Sequence, residues 1–427
     1  MREWWGLGMM AVLLAGCHGV SSVPLRPSEP PLLPARNELP TTSPIVPVLD
    51  GRGLASLPPN AIGSSEATVF RRLREVDCLS LSTANVTAAS LLERENQLSG
   101  QSPDNKFAAC GFRQAIRSYT ALELQNRAGG EALERFFQLV ELEARTDLLR
   151  RSFAIVKDLS IKAEAARTAV VRFPIEGADL DRQRSQFESQ WEQAKLGARL
   201  LDLDLKHRLG LPATAAEERL WPVGDFTVDP TDLNPDAAVN AAMADRPLLR
   251  GLRAFEQGVT AETLPEARAL LQAGSPLLGL APGEAKPGLL SQCALVLDVR
   301  RKTATPAELQ VRKQQLRAMI VDQERVVAAE TRAAVLTANS QRIRATLARD
   351  RVLSWEKTLA EAEKKRAASQ PGAEFLVPQV QLELLKARSE LAVEIVAWHQ
   401  ARIKVKAAEG WLVWEALTVK AERESKK

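Results

Sequence analysis

"TPAELQVRKQQLRAMIVDQERVVAAETRAA", residues 305–334, decides the fold. Thr305-Pro306-Ala307-Glu308 has the form of a capping box with proline at the first helical position, which starts a helix cleanly. Leu309, Leu316, Ile320, Val327 and Ala334 then step by seven, four, seven and seven. That near-heptad spacing favours helices packed side by side in a coiled-coil manner. The pattern continues to about Ala368, a rod of roughly 95 Å at 1.5 Å per residue. "SQPGAEFLVP", residues 369–378, supplies a turn, and a return helix is predicted from Gln379 to beyond Glu409.

The same order of events occurs upstream. Leu133, Phe137, Val140, Ala144 and Leu148, continued by Ile155 and Leu159, form one apolar helical face. Gly129-Gly130 is expected to interrupt that helix, and Phe173-Pro174 stops it. "IEGAD" makes a turn, a second apolar-periodic stretch runs from about Leu180 to Leu209, and "LGLP" ends it. Shifted by 200 residues, "LDLDLKHRLG" at 201 lies over "ARIKVKAAEG" at 401, pairing Leu203 with Ile403, Leu205 with Val405, Lys206 with Lys406 and Gly210 with Gly410. The shared order of long helix, glycine turn and return helix favours an internal duplication.

Composition agrees. The 427 residues are 45% hydrophobic but only 5% aromatic, which suits long helices better than sheets. Lys+Arg and Asp+Glu nearly balance at 57 and 53, which argues against a dedicated nucleic-acid binder. Three histidines and four cysteines are far apart and lack CxxC spacing, so no metal site and no cofactor are expected. A Cys78 to Cys110 disulfide is permitted in an oxidising compartment, with buried free thiols as the alternative. No GxSxG, HExxH, Walker or GxGxxG pattern is present, so no catalytic residue is nominated and the chain reads as a non-enzyme. Trp191, Trp221, Trp355, Trp398, Trp411 and Trp414 admit two readings, an interfacial belt or core packing and partner surface.

At the N-terminus, Trp4 to Gly16 carry no charge and are too short to span a bilayer, the layout of an export signal. Leu14-Ala15-Gly16-Cys17 resembles the lipobox of bacterial lipoproteins, which implies cleavage before Cys17 and acylation of its thiol. An ordinary signal peptide with a chance cysteine, or a short buried helix, is the alternative. From His18 to about Ile62 ten prolines rule out a helix or central strand, leaving an extended tether. The division expected is 1–16 signal peptide, 17–65 tether, 66–212 first hairpin repeat, 213–234 linker and 235–427 second hairpin repeat. The fold class is all-α, two tandem long antiparallel helical hairpins with little or no β-barrel.

Taken together, the chain resembles the TolC-type outer-membrane efflux factor family, built from two tandem helical hairpins. "AAVNAAMADRPLLRGLRAFEQGV" at 237 is similar to the alanine-rich opening helix of that family, with an Arg-Pro dipeptide at Arg246-Pro247 read as structural, the arginine capping or pairing locally. "LGLP" at 209 is similar to the end of its first repeat. "VVRFPIEGADLDRQRSQFES" and "AASQPGAEFLVPQVQLELLKARSEL" resemble its hairpin tips. The resemblance implies an outer-membrane, periplasm-facing protein, a homotrimer, and partnership with a periplasmic adaptor and an inner-membrane pump. It places the partner contacts at Pro174, Glu176 and Gly177 in one tip and Gly372 and Phe375 in the other, where glycine and proline also simply make turns.

One departure matters. Family members cross the outer membrane with two strands per repeat, each needing about 9 to 11 alternating residues. "QLSGQSPDNKFAACGF", residues 97–112, is too polar and broken to cross twice. In the second repeat "LLSQCALVLDV" at 289 could serve as one strand, but its partner "PLLGLA" is short. Cys17 and its lipid would then replace the barrel as anchor. The competing expectation is a non-conducting coiled-coil envelope lipoprotein that acts as a scaffold.

Overall fold

Thr305 caps the helix that follows it: its hydroxyl accepts from the Glu308 backbone N–H at 3.2 Å, and Pro306 occupies the first turn where its missing N–H costs nothing. The computed structural model describes residues 69–101, 108–168, 176–212, 218–274, 305–370 and 372–425. The signal with Cys17, the proline-rich tether, Pro174, Cys293 and the strand candidates at 276–281 and 289–299 lie outside the described residues, as does the side chain of Cys110.

The elements in chain order are β1 (Val69–Arg74), α1 (Glu75–Ala84), α2 (Thr87–Gln101), α3 (Ala108–Thr168), α4 (Gly177–Arg208), β2 (Glu218–Val223), α5 (Pro235–Asp245), α6 (Pro247–Gln257), α7 (Leu264–Gly274), α8 (Pro306–Ala367), α9 (Ala373–Glu409) and α10 (Trp411–Ser425). Two long antiparallel hairpins, α3 with α4 and α8 with α9, therefore stand in tandem. Their 61- and 62-residue first arms match in length.

The heptad stripe is buried as its spacing requires: Leu316, Ile320 and Val327 are in the core, and Leu309 and Ala334 pack against it. Lys364, Lys365 and Arg366 fill the last turn of α8, where cations suit the helix dipole. The turn is shorter than the sequence suggests. Ser369 (φ 51°) and Gly372 (φ 80°) reverse the chain, and α9 begins at Ala373 with Pro378 inside it. Proline in the second turn sacrifices one backbone hydrogen bond, a loss the burial of Ala373, Val377 and Val380 outweighs here.

A second expectation fails at Gly129-Gly130, which α3 crosses unbroken. These glycines serve close packing. A Cβ on Gly129 would lie 2.7 Å from Leu79 Cδ1 and 3.3 Å from Thr83 Cγ2, so Gly129 lets α1 lie against α3, while Gly130 faces Leu412 and Ala407. Cys78, on the same helix, is a buried free thiol whose Sγ donates to the Ala132 carbonyl at 3.6 Å.

The stretch read as linker contains a strand that sequence reading missed. β2 pairs parallel with β1, Val69 opposite Glu218 through Arg74 opposite Val223. Each strand has six residues and its partner is about 150 positions away, so local pattern carries little signal. The pair is fastened to α4 by a buried node. Asp202 accepts from the Leu220 backbone N–H at 2.7 Å and pairs with Lys206 at 2.8 Å, while Lys206 donates to the Glu218 carbonyl. At this waist the main core joins Leu73 of β1 and Leu220 of β2 to Leu79, Leu133, Phe136, Phe137, Leu205, Phe226, Ile395 and Leu412.

The first repeat leaves little room for membrane strands: α2 ends at Gln101 and α3 begins at Ala108. Six residues cannot cross a bilayer twice when each strand needs about 9 to 11. Among the described residues, no helix is long and apolar enough to cross a membrane.

Candidate conduit wall and hairpin tips

The four long helices form a single open layer. α4 packs on α3, α3 on α9 and α9 on α8, which leaves α4 and α8 as the two edges. Each neighbouring pair is antiparallel. Arg208 pairs with Glu131 and Phe153 stacks on Trp191 between α4 and α3. Asn126 donates to the Ala407 carbonyl at 2.8 Å, and Phe137 stacks on His399, between α3 and α9. Arg344 meets Glu394 at 2.6 Å between α8 and α9.

Neither edge is finished. α4 exposes Leu196, Leu200 and Leu203, and α8 exposes Leu336, Ile343 and Leu347, each 51–63% exposed. Sequence reading gave these residues no surface role, Leu203 entering only through its match to Ile403, because the buried stripe on each helix dominates the pattern. The signal was nonetheless present as steps of four and three on α4 and of seven and four on α8, a second coiled-coil face.

The tips hold the other nominated residues. Glu176 sits in extended backbone (φ −68°, ψ 134°) as the residue before α4, its carbonyl accepting from Asp179 and Leu180 and its side chain exposed. Gly177 opens that helix, and a Cβ there would meet nothing within 4 Å. Gly372 is left-handed, its carbonyl accepting from Phe375 and Leu376, with open space around its missing Cβ. Phe375 is half-buried one turn into α9. Glu176 and Gly177 thus share one tip, Gly372 and Phe375 the other. Backbone geometry explains Gly372, whereas nothing in this chain requires glycine at 177.

Arg246 caps locally through its backbone, ending α5 and preceding α6, but its side chain does not pair locally. It reaches Glu330 on α8 at 2.9 Å and Glu123 on α3 at 3.6 Å, while Pro247 starts α6. Trp221, Trp398 and Trp414 are core residues, and Trp191 and Trp355 are half-buried.

Charged groups inside the fold serve its architecture. Arg268 and Glu308 are both buried and joined by two hydrogen bonds of 2.8 and 2.6 Å, tying α7 to the start of α8. The Glu308 carboxylate, which a capping box would turn back on Thr305, turns to Arg268, and Arg268 holds it below the usual carboxylate range. Burial pushes Glu143 up to about 7 against the opposing pull of Arg219. Burial also pushes His399 down to about 4, with a backbone hydrogen bond to Phe226 opposing it. Among the described residues, no group of three or more His, Cys, Asp and Glu side chains is placed to hold a metal ion.

The geometry defines a class: an extended, open wall of paired helical rods joined by a small waist. The sequence matches no family model, and no curated protein matches it. Among solved structures, the chain is similar to the Campylobacter jejuni CmeC outer membrane channel, with TM-score 0.53, 9% identity, and coverage of 79% of this chain and 85% of that one. It is similar to the outer-membrane channel OprN, with TM-score 0.53, 12% identity, and coverage of 88% and 99%. It is likewise similar to the open state of the Neisseria gonorrhoeae MtrE outer membrane channel, with TM-score 0.50, 9% identity, and coverage of 79% and 89%. The chain has the fold of TolC-type outer-membrane channels.

Proposed function

We propose that this protein is an outer-membrane lipoprotein whose copies close into a ring around a periplasmic helical conduit, exporting small molecules with an inner-membrane pump and an adaptor. The observation that carries the reading is the open layer: α4 and α8 each end it with an unpartnered apolar stripe. Two different edges on one chain make a heterologous contact, which generates a closed ring when the rotation closes. A homotrimer is the assembly the fold suggests. In this reading residues 1–16 are removed, Cys17 carries the lipid, 17–65 tether the body, and repeats 66–212 and 235–427 flank the 213–234 linker. Pro174, Glu176, Gly177, Gly372 and Phe375 face the adaptor. Two or more acyl chains hold a protein on a membrane stably, where one does so only marginally.

A second reading, a non-conducting scaffold, draws support from the six residues between α2 and α3. One experiment separates the two. The full chain is expressed with its leader, its N-terminal peptide is weighed by mass spectrometry, and the purified protein is imaged and tested in planar bilayers beside its membrane partners. Acylated Cys17 and rings with a stained bore are expected. A solid bundle or a monomer under every condition favours the scaffold, and an unmodified Cys17 thiol on a soluble protein removes the anchor.

A further inference from the structure

The two free edges carry their leucines at the same level of the wall. A Cβ on Gly197 of α4 would lie 3.2 Å from Leu142 Cδ1 of α3. Five residues along α3, Phe137 stacks on His399 of α9, and five residues back along α9, Glu394 pairs with Arg344 of α8. Gly197, Leu142, Glu394 and Arg344 therefore lie on one line across the layer. Leu196 and Leu200 flank Gly197, and Ile343 and Leu347 flank Arg344. Counting from the tips gives the same answer, since Leu196 and Leu347 are each about 30 Å along their helices at 1.5 Å per residue.

Below this band the leucine-bearing face of each edge turns polar, and the exposed Leu353 of α8 lies off that face. On the face that carries the leucines, α4 continues toward its tip through Gln193, Ser189, Gln186 and Arg182, and α8 through Asp350, Ser354, Lys357 and Glu361, all exposed. The α8 band also borders a groove of about 420 Å³, floored by Leu347, Ala348 and Val393 and rimmed by the Arg344–Glu394 and Arg351–Glu390 pairs. A groove with an apolar floor and spent charges along its rim suits an aliphatic knob.

We infer that Leu196, Leu200 and Leu203 of one copy seat antiparallel against Leu347, Ile343 and Leu336 of the next, so that the copies are joined by one apolar band at mid-hairpin and not along the lower wall. Rotation about an axis along the helices preserves level, so only edges matched in height can close a ring. The inference rests on the ring reading above, and its occupant is a second copy of this chain.

A photo-crosslinking amino acid at position 200 of the full-length chain tests it, with isotope-labelled and unlabelled copies mixed and the adduct located by mass spectrometry. The expected adduct joins position 200 to residues 336–351 of another copy. Leu200→Glu is expected to lower the assembled fraction about tenfold with helicity unchanged, the scale of a single buried anchor. Gln186→Glu, lower on the same face, is expected to leave assembly intact. Rings seen by native mass spectrometry whose adduct lies elsewhere, or equal loss from Gln186→Glu, overturn the band and leave the ring. An adduct to a different protein overturns it too. A monomer with no adduct overturns both.

Discussion

Gly410 rests on Arg246: a Cβ added at 410 would lie 2.7 Å from the Arg246 Cα and 2.6 Å from Pro247 Cδ, at a φ of +74°. Two hundred residues earlier, Gly210 holds φ +66° and its Cβ would meet Asn85 Oδ1 at 2.6 Å. In each repeat, the left-handed glycine ending the return helix lies on the junction between that repeat's first two helices. The obstacle differs, however. Arg246 Cα is backbone and cannot yield, whereas the exposed Asn85 side chain can swing toward solvent by giving up its hydrogen bonds to the His207 and Arg208 carbonyls. Left-handed alanine costs about 1–2 kcal/mol, and overpacking about 1–3 more. Gly410→Ala should therefore lose about 2–5 kcal/mol in urea unfolding and Gly210→Ala, with the Asn85 hydrogen bonds exchanged for water, about 1–3. Equal losses would show that the backbone contact at Arg246 relaxes freely.

Gly177 offers the contrast. It is helical, exposed and surrounded by open space, and alanine is favoured over glycine inside a helix by about 1 kcal/mol. Gly177→Ala should leave the fold as stable as before or slightly more so. If export also falls in cells, the missing side chain at 177 serves a partner's close approach. Full export with raised stability would remove Gly177 from the tip contacts.

The Arg268–Glu308 pair should behave as a unit. Both side chains are almost fully buried, and buried Arg312 reaches the same Glu308 carboxylate at 3.4 Å. Removing Glu308 therefore takes the carboxylate from two guanidinium groups, whereas removing Arg268 leaves Glu308 its longer contact with Arg312. Breaking a buried pair costs about 3–5 kcal/mol. Glu308→Leu should destabilise most and Arg268→Met less, because Arg312 still faces the carboxylate, while adding Arg268→Met to Glu308→Leu should recover part of the loss. A double-mutant cycle read by chemical denaturation measures the coupling. Simple additivity would mean that water reaches the pair once α7 loosens.

What the sequence disclosed about this fold was its local grammar. Thr305 and Pro306 cap α8 where the pattern placed them, the helix ends within a residue of Ala368, and the shift that superposes Gly210 on Gly410 marks two matching left-handed turns. Non-local causes stayed hidden. Gly129-Gly130 reads as a break until Leu79 is seen against it, and Pro378 reads as a boundary until the burial of Ala373 and Val377 is known. The parallel strands β1 and β2 depend on each other across most of the first repeat. At the candidate site, Gly372 was legible as a turn former, whereas Gly177, read the same way, opens α4 as a helical residue. The edge leucines were not singled out, because a residue exposed in one copy looks dispensable until the open layer shows what remains uncovered.

His399 and Glu143 should tilt the pH dependence of stability in opposite directions. His399 lies between Phe137, Phe226 and Trp398, facing Asp225, Arg402 and Lys406, and burial lowers it from 6.5 to about 4. Its contribution is present above pH 6.5 and is lost as pH falls toward 4, because the unfolded chain binds the proton more readily. Glu143 faces Arg219 and Asp202, and burial raises it from 4.5 to about 7. Its contribution is present below pH 4.5 and is lost as pH rises through 7. Since tenfold in proton affinity is 1.36 kcal/mol, each effect is at most about 3–4 kcal/mol, and over the shared window they oppose one another. His399→Phe leaves the Glu143 effect, so stability should fall as pH rises from 4.5 to 7. Burial also raises Glu75, Glu123 and Glu141, whose contributions fall over the same interval, so Glu143→Gln, which removes one of these opposing groups, should make the slope of stability with pH more positive than in the parent protein. Urea midpoints across that range read both slopes, and parallel profiles in the two variants would show that neither group titrates inside the folded waist.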